Sequence, residues 1–392
     1  MTPPYRAAPL PAPTADEVER CRLAIAGRWS PLQTSPVVLL AYASSITTSP
    51  WLLGVSAALH GLPLAVVGLG ATGGWHWAHG GTPKLAGSLR AVQLLDALAR
   101  TSWKTPVALL DAFDTFIANA PSQSLVGALA RLVDTEVVLG GECMHFPVCR
   151  IREMHGVASY RACIASGLNS CAPNGGYLLG HTRGLERLLV AMLRVVVRRS
   201  GGEGTTRYTD VHDQGALHEV FFDQAAARVS LQVDGESRHI LNLHACSSRQ
   251  NLTKLVKGFS YCRERYHLPM ARALVPNASA ALYWPRGEPR AANRRRCAAG
   301  ACEAVRPLVV HANGAHQLLG HPKLKPIVDK LSVWPPPAYV LAAPVLLIDS
   351  ARHSSPCTVV QLGELLVNAT WSSSTMAMAT KSRTDSARVV RS

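Results

Sequence analysis

The chain has 392 residues, 48% of them hydrophobic, which is enough to bury a sizeable core. Lys and Arg outnumber Asp and Glu by 40 to 25, a net charge of +15, and the arginines concentrate at Arg198 and Arg199, over 286–306 and in the tail. That distribution is read as lacking one helical stripe, no nucleic-acid module is recognisable, and none of the ten cysteines forms C-x-x-C, so a nucleic-acid binder and a zinc ribbon are set aside.

Residues 1–35 read as an extension: a Pro/Ala stretch, then a short helical pattern over 16–26. No apolar signal segment is readable in it. A strand is expected over 36–43, a helix over 52–60 and a second strand over 64–69. The segment 70–82 holds five glycines and two tryptophans, so it reads as a loop whose backbone could approach a diphosphate. Apolar residues at helical spacing over 85–99 predict a helix on the sheet, and 107–111 a third strand. Strand, helix, strand, helix, strand is the doubly wound pattern. Further strands are expected over 136–139 and 176–180, with an apolar helix over 185–197. From 245 to 306 the composition shifts to Arg, Ala, Pro and Cys, which reads as an insertion. The run 339–348 is too short to span a bilayer, 326–392 is set apart as a C-terminal extension, and its last twenty residues are expected to be disordered. The motifs spread from 36 to 325, so one large domain with additions is expected rather than two or three.

The chemistry sits at two strand ends. VALLDAFD delivers Asp111 and Asp114, and PLVVHANG delivers His311. Strand carboxyl ends in an open α/β sheet converge on one crevice. Hard carboxylates suit Mg²⁺ or Mn²⁺, and one imidazole shifts the preference towards Mn²⁺. Such an ion would stabilise charge building on a diphosphate leaving group. His316 and His321 follow His311 at five-residue intervals, a spacing that suits neither a helix face nor a strand face. There is no GxSxG elbow and no P-loop, which weakens hydrolase and NTPase readings. Of the cysteines, Cys297 and Cys302 are the nearest candidates for a disulfide, with buried free thiols as the alternative. Sequons occur at Asn251, Asn277 and Asn368 and carry meaning only in the secretory pathway.

Read together, these segments resemble the glycosyltransferase domain of the procollagen lysyl hydroxylases and related collagen sugar transferases. The likeness runs in order from Pro36 to Gly320, through PVVLLAYAS, the glycine-rich stretch to Lys84, LLDAFD, GGECMHFP, APNGGYLLG, DVHDQGALHEVFF, VDGESRHILNL and VVHANG. It implies a GT-A-type doubly wound mixed sheet flanked by helices, with a basic insertion and a disordered tail. It further implies a UDP-sugar donor, Mn²⁺ or Mg²⁺ on Asp111, Asp114 and His311, and Asn313 and Gly314 on the diphosphate. Lys84 would steady phosphate oxygens, with Phe146 and Asn174 also on the donor side, and Asp213, Glu142 and His212 would face sugar or acceptor. The acceptor would be a hydroxyl on hydroxylysine or a similar glycan, and the compartment the endoplasmic reticulum or Golgi lumen; the N-terminus alone reads as cytoplasmic. The chain departs from the family pattern at His212, where a carboxylate is expected, at Phe146, where a tryptophan is expected, and at Gly87, where a stacking aromatic is expected. Those departures leave room for a second reading, a catalytically weak module of the same fold that binds a glycan or protein. No histidine starts the His-x-Asp pair that binds iron in the hydroxylase half of that family, so lysyl hydroxylation is not expected.

Overall fold

A computed structural model describes residues 12–29, 35–43, 48–69, 81–99, 106–112, 115–142, 151–165, 171–200, 213–235, 239–242, 282–283, 304–305, 308–311, 338–348 and 356–365. In chain order the helices are α1 (Ala15–Ile25), α2 (Thr48–Leu59), α3 (Gly81–Ala99), α4 (Gln123–Ala130), α5 (Ile151–Gly156), α6 (Ala158–Ala165), α7 (Thr182–Ser200), α8 (Asp213–Phe222), α9 (Gln224–Ala227) and α10 (Ala338–Leu341). The strands are β1 (Val38–Tyr42), β2 (Leu64–Val67), β3 (Val107–Asp111), β4 (Thr115–Ile117), β5 (Glu136–Glu142), β6 (Ala172–Gly180), β7 (Ser230–Asp234), β8 (Ile240–Asn242), β9 (Leu282–Tyr283), β10 (Ala304–Val305), β11 (Val309–His311), β12 (Pro344–Ile348) and β13 (Cys357–Gln361).

Eight strands form the main sheet in the order β13-β12-β2-β1-β3-β6-β5-β7. Four of the seven pairings are parallel, and β13, β6 and their neighbours make the antiparallel ones. The chain winds from β1 outward to β2, then returns to place β3 on the other side of β1. That reversal is a topological switch point, the place where open α/β sheets form a crevice, here at the carboxyl ends of β1 and β3. A second sheet, β4-β11-β8, pairs β11 antiparallel to β4 and parallel to β8. In the basic insertion the described residues are the short antiparallel ribbon β9–β10.

Every residue of β1 is buried, which is why it reads as an unbroken apolar run rather than an alternating one. Its side chains still alternate: Val38, Leu40 and Tyr42 enter one core layer, Leu39 and Ala41 the other. The first layer is covered by α1, α3, α5, α6, α7 and α8, the second by α2, α4 and α10. Leu39 and Leu40 are fully buried, so truncation of either to Ala would cost about 2–5 kcal/mol. Among the described residues no helix is long and apolar enough to cross a membrane.

Several boundaries differ from the sequence reading. Helix α3 begins at Gly81, not 85, because Pro83 falls in the first turn, where a missing N–H breaks no helical bond. Strand β6 begins at Ala172; its glycines hid a strand that the β5 ladder supports, across a register shift at Leu139/Gly140. The stretch set apart at the N-terminus is packed into the fold, with Cys21 and Trp29 buried. The stretch set apart at the C-terminus supplies β12, parallel to β2, and β13 beyond it. Cys21 and Cys357 form a disulfide across 336 residues, with Cα atoms 4.8 Å apart, and Cys163 pairs with Cys171 at 5.8 Å. Cys297, Cys302, the three sequons and the tail lie outside the described residues.

Candidate functional site

Asp111 is the last residue of β3, in register with Tyr42 of β1, so it stands at the switch-point crevice. Tyr42 turns its ring against Gly68 and Gly87. A Cβ on Gly68, whose φ is +94°, would meet Tyr42 Cε2 at 2.5 Å, and one on Gly87 would meet it at 3.1 Å. The aromatic ring missing from position 87 is thus matched by a neighbouring ring that needs the glycine there.

Lys84 projects from the first turn of α3 and bridges two carboxylates. Its ammonium contacts Asp111 Oδ1 and lies 2.6 Å from Asp213 Oδ2. The Lys84 side chain is only 11% exposed. Burial by itself would favour the neutral amine; the Asp111 and Asp213 carboxylates outweigh it together and raise the ammonium above the ordinary lysine range. Asp213 opens α8, and its Oδ1 accepts the Gln214 backbone N–H at 2.9 Å. A carboxylate at a helix amino end is further favoured by the helix dipole.

His311 ends β11 and is paired in register with Asn242 at the end of β8. Asn242 Nδ2 donates to Gly141 O at 2.8 Å, which leaves its Oδ1 facing His311 Nδ1 at 2.6 Å. An amide oxygen accepts, so Nδ1 carries the proton, and in the neutral imidazole Nε2 is the nitrogen that holds a lone pair. Nε2 lies 3.7 Å from Asp111 Oδ2. Two ligands on one ion, each about 2.1 Å from it, stand roughly 3–3.7 Å apart. The tautomer and the separation therefore fit a shared divalent cation. Gly176 makes room for the imidazole: a Cβ there would lie 2.2 Å from His311 Cε1.

A second buried knot adjoins the first. Asn174 Nδ2 donates to Glu142 Oε2 at 3.0 Å and to Gln214 Oε1 at 3.3 Å, and Gln214 Nε2 donates to Glu142 Oε1. Both Glu142 oxygens thus accept amide N–H groups. Asn174 Oδ1 accepts the Gly176 N–H at 2.8 Å, which fixes the amide's orientation. The register shift between β5 and β6 sets Asn174 opposite Gly140, at the end of β5 that carries Glu142.

Of the site residues expected from sequence, the structure thus gathers Lys84, Asp111, Asp213 and His311 in direct contact, and Glu142 and Asn174 beside them through Gln214. Asp114, Phe146, His212, Asn313 and Gly314 lie outside the described residues. Among the described residues no three His, Cys, Asp or Glu side chains form a metal cluster; Asp111 and His311 are the two members of the expected triad that are described. Gln214 and Asn242 stood in quoted motifs without a role; neither chemistry nor spacing marked them as the groups that orient Glu142 and His311. A cleft of about 900 Å³ lies elsewhere, against β7, lined by Val157, Phe221, Leu231 and Val233. None of Lys84, Asp111, Glu142, Asp213, Asn242 or His311 lines it. No family model matches the chain, and no curated protein matches it.

Proposed function

We propose that the protein is a metal-dependent glycosyltransferase of GT-A type that moves a hexose from a UDP-sugar to a hydroxyl acceptor, on hydroxylysine or a similar glycan. The observation that carries the reading is the Asn242–His311–Asp111 relay, which sets the imidazole Nε2 3.7 Å from a carboxylate oxygen. A metal-binding imidazole characteristically gives its other N–H to such an acceptor, which fixes the tautomer and the ring orientation. Asp111 and His311, with Asp114, would hold Mn²⁺ or Mg²⁺, and that ion would supply Lewis acidity to the departing diphosphate. Lys84 joins the metal side of the site, Asp111, to the sugar side, Asp213. Its ammonium pairs with both carboxylates and holds them side by side. Asp213 is placed to accept from a sugar or acceptor hydroxyl. Glu142, its oxygens oriented by Asn174 and Gln214, walls the same crevice. Two disulfides fit an oxidising lumen, the compartment implied by the sequence resemblance.

One observation favours a second reading, a binding module that keeps this fold without turnover. Lys84 spends its charge on Asp111 and Asp213 rather than on an open anion site. Turnover separates the two. Incubation with Mn²⁺ and a panel of UDP-hexoses, with and without hydroxylated acceptors, should release UDP slowly, and Asp213→Ala should abolish release while UDP still binds. Tight UDP binding with no release over the whole panel would leave the binding module.

A further inference from the structure

Helix α7 carries an arginine stripe. It has no signal in the linear sequence, because the arginines are spread among apolar residues and align only in helical phase. Relative to Arg183, residues Arg187, Arg194 and Arg198 fall four, eleven and fifteen positions on. At about 100° per residue they turn to roughly 40°, 20° and 60°, one narrow sector about 22 Å long. Arg183, Arg194 and Arg198 are exposed and Arg187 is half-buried, its Nη1 donating to Arg228 O at 3.0 Å. None of the four pairs with a carboxylate among the described residues. Glu186, the acid nearest in phase, receives Gln93 Nε2 at 2.9 Å instead. The opposite face is fixed in the core by Leu185, Leu188, Leu189, Met192 and Val196. So α7 cannot lift off to bury an apolar face elsewhere, and its outer face is a rigid basic rail.

We propose that this rail binds a sulfated polysaccharide. The guanidinium fork matches sulfate oxygens in pairs, and a straight row of forks suits a stiff polymer with regularly spaced anions. The disulfides Cys21–Cys357 and Cys163–Cys171 place the chain among extracellular or luminal partners. Nucleic acid is not the polyanion met there, and anionic lipids face the cytoplasm. The rail also has a direction. Strand β6 runs away from the crevice, from Asn174 to Gly180, and α7 then runs back along it towards the end from which α8 delivers Asp213. A polymer on the rail would be led to the crevice rim. The binding itself does not depend on sugar transfer.

The test uses the full chain and a fluorescent, fully sulfated dodecasaccharide, with anisotropy read at 0.15 M salt. R183Q/R194Q/R198Q should weaken binding more than tenfold, and rising salt should weaken the native chain in the same direction. R20Q/R28Q/R131Q, which removes the same charge from α1, the turn after it and the end of α4, should change affinity less than twofold. Thermal melts of both variants should match the native chain, since all the substituted side chains are exposed. Equal losses in the two variants, or no loss in the first, would overturn the proposal. It would equally fall if the native chain ignored the saccharide, or bound phosphatidylserine vesicles or a DNA 12-mer as tightly.

Discussion

At the crevice, Lys84, Asp111, Asp213 and His311 come from four separate elements and are held together, largely buried, by charge and by oriented amides. At the β13 edge of the same sheet, α1 is held by different means. Thr14 and Glu17 form a reciprocal capping box, Glu17 reaches Arg90 of α3, and Cys21 is bonded to Cys357. The second arrangement is closure: local bonds satisfy a helix end, and a covalent link ties the two ends of the described chain. The first is not an economical way to stabilise a fold, because apolar residues of similar volume would do as well or better than a buried ion cluster. On the proposed function, the charges are kept there to hold a cation and a charged substrate.

That contrast can be broken by substitution. Lys84→Met should have the largest effect. It strands two carboxylates at a mostly buried position, and unfolding by denaturant should show a loss of about 3–5 kcal/mol. Adding Asp111→Asn should recover part of the loss, whereas a loss below about 1 kcal/mol would mean that the cluster is solvated. Replacing both Cys21 and Cys357 by Ser should cost about 2–5 kcal/mol in the same assay, with UDP affinity unchanged. If UDP affinity fell with it, the two regions would not be separable.

Asn242→Ala sharpens the comparison further. It should leave stability within about 1–2 kcal/mol yet weaken Mn²⁺ binding about 10–100-fold, because the imidazole loses the group that fixes its tautomer. Mn²⁺ titration followed by electron paramagnetic resonance reads this directly, without turnover. The smallest effect belongs to Glu17. Thr14 backbone N–H and Arg90 lower its carboxyl to about 2 against 4.5 when free, with partial burial opposing them. Its contribution is therefore present above pH 4.5 and is lost as pH falls towards 2. Glu17→Gln should flatten that part of the stability profile by under about 1 kcal/mol and leave the crevice untouched.

Much of the crevice was legible because its chemistry is local to strand ends. The apolar runs before Asp111 and His311 are both buried strands, so their meeting was expected; the route differs, because β11 lies in the second sheet, and its pairing with β4, which sets His311 opposite Thr115, brings the imidazole to Asp111. Other features had no local signal. The glycine run before Lys84 concealed that α3 starts at Gly81, so the lysine read as a loop residue for phosphate rather than a helical counter-ion for two aspartates. Asn242 and Gln214 act only through a partner, and an amide carries no charge or spacing to announce it. The Cys21–Cys357 bond spans nearly the whole described chain, and ten cysteines allow too many pairings to choose among. Strand β12 was hidden because 339–348 was weighed only as a membrane span within a C-terminal extension, and five apolar residues do not announce which edge they pair with, here β2. The arginines of α7 escaped because fifteen residues of sequence separate the first from the last, and only the helix brings them into line.

Calorimetric titration of UDP into the native chain and into Asp111→Asn, each with and without Mn²⁺, tests the account at its centre. The native chain should bind UDP at least tenfold more tightly with Mn²⁺ than without, and Asp111→Asn, having exchanged a charged ligand for a neutral amide, should lose that difference. Equal UDP affinity in all four titrations would contradict the metal site at the end of β3 and, with it, the proposed transfer chemistry.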